Sequence, residues 1–325
     1  MLTATTLLLG IVTLLGGGAL LVRGASEIAT GYGVSPLVIG LTVVGFGTSS
    51  PELVINVLGA ARGATDLAFG NVIGSNISNL ALVLGVTALV APITMGSQLV
   101  RREIPLLLLA TTIAAVLALD SPLEQRDALI GRSDSVVLLL LFCIFVYMVV
   151  LEFVRAKQVD PLLVEVESYP LLSQRSADPW RWPMAIGGCA LLFLGGKLTI
   201  DSGVELAAGL GISATIIGLF IVAIGTSLPE LVTSILAAVK KEPDLALGNI
   251  VGSNLFNTLV VLPASGVVEP IAVPAGGLFD LAVSWVLVAL LIPVFFVGQA
   301  RLGRTIGGML LLAYLAYAAV RVTSG

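Results

Sequence analysis

The chain has 325 residues, 57% of them hydrophobic and 11% charged, with a mean hydropathy of +1.08 and a formal net charge of −4. Soluble domains average about 45–50% apolar and about 25% charged residues, so a water-soluble fold is excluded, and the scattered Lys and Arg offer no basic arm to a nucleic acid. What remains is a single integral membrane domain, with lipid as its main partner and no obligate protein partner evident.

The first apolar run, Leu7 to Val22, has no basic segment ahead of it, and its nearest cation, Arg23, follows it. It therefore reads as the first span rather than a secretory signal. Further apolar runs, interrupted by Gly, Pro or charge, put helix centres near residues 13, 46, 79, 110, 143, 192, 224, 256, 288 and 314. Each run approaches the roughly 20 residues that a bilayer crossing needs. The expected fold class is all-α and membrane-spanning: ten transmembrane helices in two inverted five-helix halves, 1–154 and 183–325, joined by a charged, proline-bearing hinge loop at 155–182. That loop is too short to fold alone. Cys143 and Cys189 lie mid-span without metal-ligand spacing and read as packing residues.

With the N-terminus outside, the inner loops hold Arg101, Arg102, Arg155, Lys157, Arg175, Arg181, Lys240, Lys241, Arg301 and Arg304. The outer side holds Arg62, Arg126, Arg132 and Arg321. Basic residues concentrate in cytoplasmic loops, so the expectation is a multi-pass plasma (inner) membrane protein with both termini on the non-cytoplasmic side.

A constant offset of 178 residues aligns 40–79 with 218–257 without a gap, and 21 of these 40 positions are identical. Shared apolar composition would not keep Gly, Thr, Ser, Pro, Glu, Asp and Asn in register. Five spans separate the copies, so they enter the membrane in opposite directions, the architecture of alternating-access transporters with a site at the midplane.

Each copy carries GTSxPE inside an apolar run: Gly47, Thr48, Ser49, Pro51 and Glu52, then Gly225, Thr226, Ser227, Pro229 and Glu230. Proline withholds the N–H that the carbonyl four residues back would accept, which frees the Gly47 and Gly225 carbonyls. Irregular backbone is tolerated at membrane depth only inside protein or beside a water-filled cavity. A carboxylate there costs roughly 2.5–3.5 kcal/mol or more, which makes Glu52 and Glu230 candidate functional groups. No cationic side chain is positioned between them, and the chain has no His. Brought together, the pair matches the charge of one divalent cation. The residues also allow the glutamates to be protonated and merely packed.

The second motif, GNxxGSNxxN, supplies Gly70, Asn71, Gly74, Ser75, Asn76 and Asn79, repeated as Gly248, Asn249, Gly252, Ser253, Asn254 and Asn257. Ser75 and Asn79 share a helix face, as do Ser253 and Asn257. Carboxylate, amide, hydroxyl and backbone oxygens suit a hard cation such as Ca²⁺, which takes about 6–8 of them, whereas softer metals would favour Cys and His. The four glycines are expected to pack helices closely.

GTSSPE with GNVIGSN, and GTSLPE with GNIVGSNLFN, resemble the two alpha repeats of the cation/calcium exchanger family. The resemblance implies a secondary active antiporter, exchanging Na⁺ for Ca²⁺ by alternating access and carrying no cofactor. It also implies that Glu52 and Glu230 are central ligands. Thr48, Thr226, Ser49, Ser227, Ser75, Ser253, Asn79, Asn257 and the carbonyls of Gly45 and Ala223 would complete the adjoining sites. Some family members have Asp where this chain has Asn257, so a third carboxylate associated with K⁺ dependence is missing. The family's large cytoplasmic regulatory domain is not expected in 155–182.

Two other readings stay open: a Ca²⁺/H⁺ antiporter using the same glutamates, and a passive cation channel lined by them. An intramembrane enzyme is disfavoured, because there is no His, no HExxH and no Ser–Lys dyad facing the site. Helices one and six, with Gly16, Gly17, Gly18, Gly195 and Gly196, are expected to slide over the remaining bundle as the gate. Glu27 and Glu205, also related by the 178 offset, are expected at the interfaces.

Overall fold

The computed structural model describes residues 2–96, 98–119, 128–157, 178–209, 223–297 and 301–324. Most of the expected hinge (158–177), the first five residues of the second repeat (218–222), and Arg126 and Arg175 lie outside the described residues.

In chain order the helices are α1 (Leu2–Tyr32), α2 (Pro36–Thr48), α3 (Ser50–Ala61), α4 (65–90), α5 (99–117), α6 (Arg132–Lys157), α7 (Arg181–Gly209), α8 (Ala223–Thr226), α9 (Leu228–Val239), α10 (Pro243–Val268), α11 (Gly277–Val297) and α12 (Arg304–Ser324). Residues 155–157 and 181–182, assigned by sequence to the hinge, are helical. Their apolar neighbours carry the helix on past the first charges. Among the described residues seven helices are long and apolar enough to cross a membrane, or eight when the bent pair α2–α3 counts as one span.

Burial divides these helices into two classes. In α10 and α4, 94% and 83% of the apolar window is inside the protein, against 22–39% in α1, α6, α7, α11 and α12. A helix apolar on all sides belongs either in a core or against lipid. The two central helices are the ones that carry GNxxGSNxxN, and the outer helices turn residues such as Leu140, Ile144, Leu312 and Leu315 outward.

α1 and α7 lie side by side and antiparallel, since Gly10, Gly17 and Gly24 meet Thr199, Leu192 and Ala185 in turn. A Cβ on Gly17 would sit 2.7 Å from Leu192 N and 2.9 Å from Gly188 O; one on Gly195 would sit 2.6 Å from Leu14 N and 2.9 Å from Gly10 O. Because 188 − 10 and 195 − 17 both equal 178, the repeat offset exchanges these two contacts, as a two-fold axis between the halves requires. Small residues at such a seam let backbones approach and gain dispersion contact. Gly16 takes no part in it: it is exposed, and no described atom would meet its Cβ.

Two short antiparallel strand pairs, unannounced by the sequence, join linkers at opposite ends of the bundle. β1 (Ile93–Thr94) pairs with β4 (Arg301–Leu302), and β2 (Leu129–Ile130) pairs with β3 (Ile271–Ala272). Ile93, Ile130, Ile271 and Leu302 are fully buried there.

Candidate functional site

Both GTSxPE segments break their helix at the same place and in the same conformation. Ser49 has φ −92° and ψ 3°, and Ser227 has φ −90° and ψ 7°. The first break bends α2 against α3 by 45°. Pro51 and Pro229 then occupy the first turns of α3 and α9, where a missing N–H costs nothing because those amides have no partner within the helix. Glu52 and Glu230 follow in the same first turns, where the helix dipole favours a negative charge. Each carboxylate thus sits at the start of the half-helix that follows a break, the arrangement of transporters built on discontinuous helices.

The two breaks meet in the interior. Ser49 Oγ of the first repeat donates to Glu230 Oε1 of the second at 3.0 Å. Glu230, Ser49, Ser253, Thr48, Ser227, Glu52 and Ser75 are each at most 4% exposed. The Thr48 hydroxyl lies 3.2 Å from Asn249 Oδ1, 3.3 Å from Gly45 O and 3.4 Å from Ser253 Oγ. The Gly45 carbonyl also accepts from Ser253 Oγ at 3.3 Å and from Ser49 N at 3.1 Å. Thr226 is half-buried, and Ala223 opens α8, the short helix before the second break.

Asn79 and Asn257 lie on α4 and α10 where each helix widens into a π-helical turn, 78–83 and Asn257–Val261. Such insertions recur at functional sites because they turn side chains out of the ordinary α-helical register. Asn79 Nδ2 donates to Asn254 Oδ1 at 3.1 Å, and Asn254 Nδ2 donates to Asn76 O at 3.4 Å. Asn76 Nδ2 donates to Thr258 Oγ1 at 2.9 Å. Asn249 spends its amide on Glu230 O at 3.2 Å and Ser234 Oγ at 2.9 Å, which fixes the turn that presents Glu230. The roles of Asn76, Asn249, Asn254, Thr258 and Ser234 were missed at the sequence level. For the three asparagines a signal was present, since each is conserved between the two copies of the repeat.

Among the described residues several buried side-chain oxygens here have no hydrogen-bond partner: Glu52 Oε2, Glu230 Oε2, Ser227 Oγ, Asn76 Oδ1, Asn79 Oδ1 and Asn257 Oδ1. A buried acceptor left unpaired costs about 1–3 kcal/mol, and more when charged. These are the donor atoms that a hard cation takes. Among the described residues no group of three or more His, Cys, Asp and Glu comes together, so the set is one of mixed oxygens around two carboxylates.

Two crevices reach this region. One, of about 340 Å³, is lined by Glu52, Pro51, Gly225, Thr226 and Pro229 together with Lys197 and Asp201 of α7. The other, of about 220 Å³, runs past Asn71, Gly74, Ser75 and Thr226 to Asp280, Tyr317 and Arg321. Thr226 stands between them.

The two halves differ here. Gly248, Asn249 and Gly252 are buried, and Gly248 and Gly252 press against the backbone of Leu37, Gly40 and Leu41. Among the described residues their counterparts have fewer neighbours: Gly70 is exposed, Asn71 and Gly74 are half-buried, and no described atom lies within 4 Å of a Cβ on either glycine. The expected close packing therefore holds for Gly248 and Gly252, while the positions related by the repeat offset that would pack Gly70 and Gly74 lie outside the described residues. Cys189 is half-buried against Gly47, whereas Cys143 is exposed on the outer surface of α6.

A helical bundle with a pseudo-two-fold axis, broken helices and a buried carboxylate beside each break is the frame of a membrane transporter rather than an enzyme. The family described as sodium/calcium exchanger protein matches residues 2–151 and 180–323, and the chain belongs to it. It is 30% identical over 338 residues to the sodium/calcium exchanger MaX1 of Methanosarcina acetivorans, covering 97% of both chains. It is 36% identical over 273 residues to the inner membrane protein YrbG of Escherichia coli K12, covering 83% of this chain and 81% of that one. Among solved structures, the sodium-calcium exchanger NCX_Mj soaked with Na⁺ and Sr²⁺ superposes with a TM-score of 0.82 at 30% identity, over 98% of each chain.

Proposed function

We propose that this chain exchanges Ca²⁺ for Na⁺ by alternating access, with both ions competing for oxygens around Glu52 and Glu230. The observation that carries the reading is the hydrogen bond from Ser49 to Glu230, which brings the two repeats' breaks together where both carboxylates keep an unpartnered oxygen. Two buried negative charges repel, and one divalent ion or several monovalent ones offset them. Thr48, Ser75, Asn79 and Gly45 O from the first repeat, with Thr226, Ser227, Ser253, Asn257 and Ala223 O from the second, are the remaining proposed ligands.

The proposed topology is ten spans in two inverted five-helix halves, 1–154 and 183–325, around alpha repeats 40–79 and 218–257. In support, each expected helix centre falls within a helical segment, α2–α3 and α8–α9 serving as broken spans. Both termini are proposed on the non-cytoplasmic side. In that frame the open crevice at Asn71 faces outward. The inner end is drawn shut by Asn249, by the Ser26–Glu242 hydrogen bond and by Lys240 Nζ on Ala19 O at 3.3 Å.

The test is ⁴⁵Ca²⁺ flux in proteoliposomes with Na⁺, K⁺ and pH gradients imposed one at a time. Uptake driven by an outward Na⁺ gradient is expected. Uptake that follows a pH gradient and ignores Na⁺ would instead establish a Ca²⁺/H⁺ antiporter, and flux without any counter-ion would establish a channel.

A further inference from the structure

The crevice that reaches Ser75 and Thr226 has its rim at the first turn of α11 and the last turns of α12, where Asp280, Tyr317 and Arg321 converge. Arg321 Nε stands 3.2 Å from Asp280 Oδ1, and Tyr317 Oη donates to that same oxygen at 3.0 Å. The Asp280 side chain is 8% exposed and that of Arg321 27%. Gly276, at φ +78°, lies directly against the Arg321 guanidinium and leaves no room there for a Cβ. The cation is therefore fixed in position rather than free to swing into water.

A fixed guanidinium beside a path for cations is a barrier, and its height doubles for a divalent ion. We propose that Asp280 is a specificity-determining residue of the outer mouth: it cancels the charge of Arg321, with Tyr317 holding the carboxylate in place, and so admits a divalent cation to the crevice. The inference rests on the exchange reading above and adds to it a residue outside both repeat motifs. The pair makes the rim electrically neutral. Loss of either partner exposes the other, with opposite effects on cations arriving from that side.

The experiment measures half-saturating Ca²⁺ and Na⁺ on the crevice side and on the opposite side of oriented vesicles, for wild type, Asp280→Asn, Arg321→Gln and the double variant. In Asp280→Asn the Na⁺ value is expected to rise about 3-fold and the Ca²⁺ value by about the square of that factor, roughly 10-fold. Both shifts should shrink as ionic strength increases and be absent on the opposite side. Arg321→Gln should lower the Ca²⁺ value, and the double variant should return near wild type. A structural tie between α11 and α12 would move both ions by one factor and would be damaged further by the double change. Equal factors for the two ions, no shift on the crevice side, or no rescue would overturn the proposal. If Asp280→Asn does not yield a monodisperse protein, Arg321→Gln alone decides, and an unchanged or raised Ca²⁺ value refutes it. Failure of wild type to exchange would refute the functional reading instead.

Discussion

Three adjacent glycines in α1 allow a quantitative test of the α1–α7 seam. Ala in place of Gly in a helix is favoured by about 1 kcal/mol, and that gain is common to Gly16→Ala and Gly17→Ala. It cancels when the two variants are compared, leaving the packing term. A Cβ at position 16 meets no described atom, whereas one at 17 lies 2.7 Å from Leu192 N, and ordinary contact is about 3.5–4.0 Å. Backbone cannot rotate aside as a side chain can, so the helices must part by the better part of an ångström. Overpacking of this kind costs about 1–3 kcal/mol. Gly17→Ala is thus expected to be about 1–3 kcal/mol less stable than Gly16→Ala. Gly18→Ala should fall between them, because its Cβ would meet the movable ends of Val232 and Leu236 at 2.8 and 2.9 Å. Denaturant titration of the purified variants in one detergent, followed by tryptophan fluorescence, provides the measurement. Equal midpoints for Gly16→Ala and Gly17→Ala would mean that the seam is not closely packed and would remove the argument for a two-fold axis drawn from it.

Glu52→Gln and Glu230→Gln should each bring Ca²⁺ exchange close to background while the protein stays monodisperse; near-normal flux in either variant would refute the two-carboxylate site. Asn254→Ala removes the partner of Asn79 Nδ2 and of the Asn76 carbonyl together, and is expected to cost about 2–4 kcal/mol, seen as a lower unfolding midpoint. In a background lacking Cys143 and Cys189, Asn71→Cys should react with a hydrophilic thiol reagent much faster than Asn249→Cys. Equal labelling would contradict the difference in burial between Asn71 and Asn249.

The sequence made the duplicated chemistry legible, because polar residues held in register through apolar helices have few reasons to persist. The two helix breaks fall at Ser49 and Ser227 inside GTSxPE, with Glu52 and Glu230 buried beside them. Direction within a helix was harder to read. Gly16, Gly17 and Gly18 are identical letters, and only the path of α7 separates a lipid-facing glycine from one that sets helix spacing. The π-helical turns at 78–83 and Asn257–Val261 carry no residue signature. The contrast between Gly70 and Gly248 could not have been read from the chain, since both copies carry the same motif.

The two strand pairs carry a mechanical consequence. β1–β4 fastens the linker between α4 and α5 to the one between α11 and α12, while β2–β3 fastens the α5–α6 linker to the α10–α11 linker at the far end. Neither pair includes a linker of α1 or α7. Stitched at both faces, the helices that carry Asn79 and Asn257 belong to a stiff chassis, and among the described residues the α1–α7 pair gains no such stitch. Slow-exchanging amides at Ile93, Ile130, Ile271 and Leu302 would then keep time with global unfolding rather than with the transport cycle.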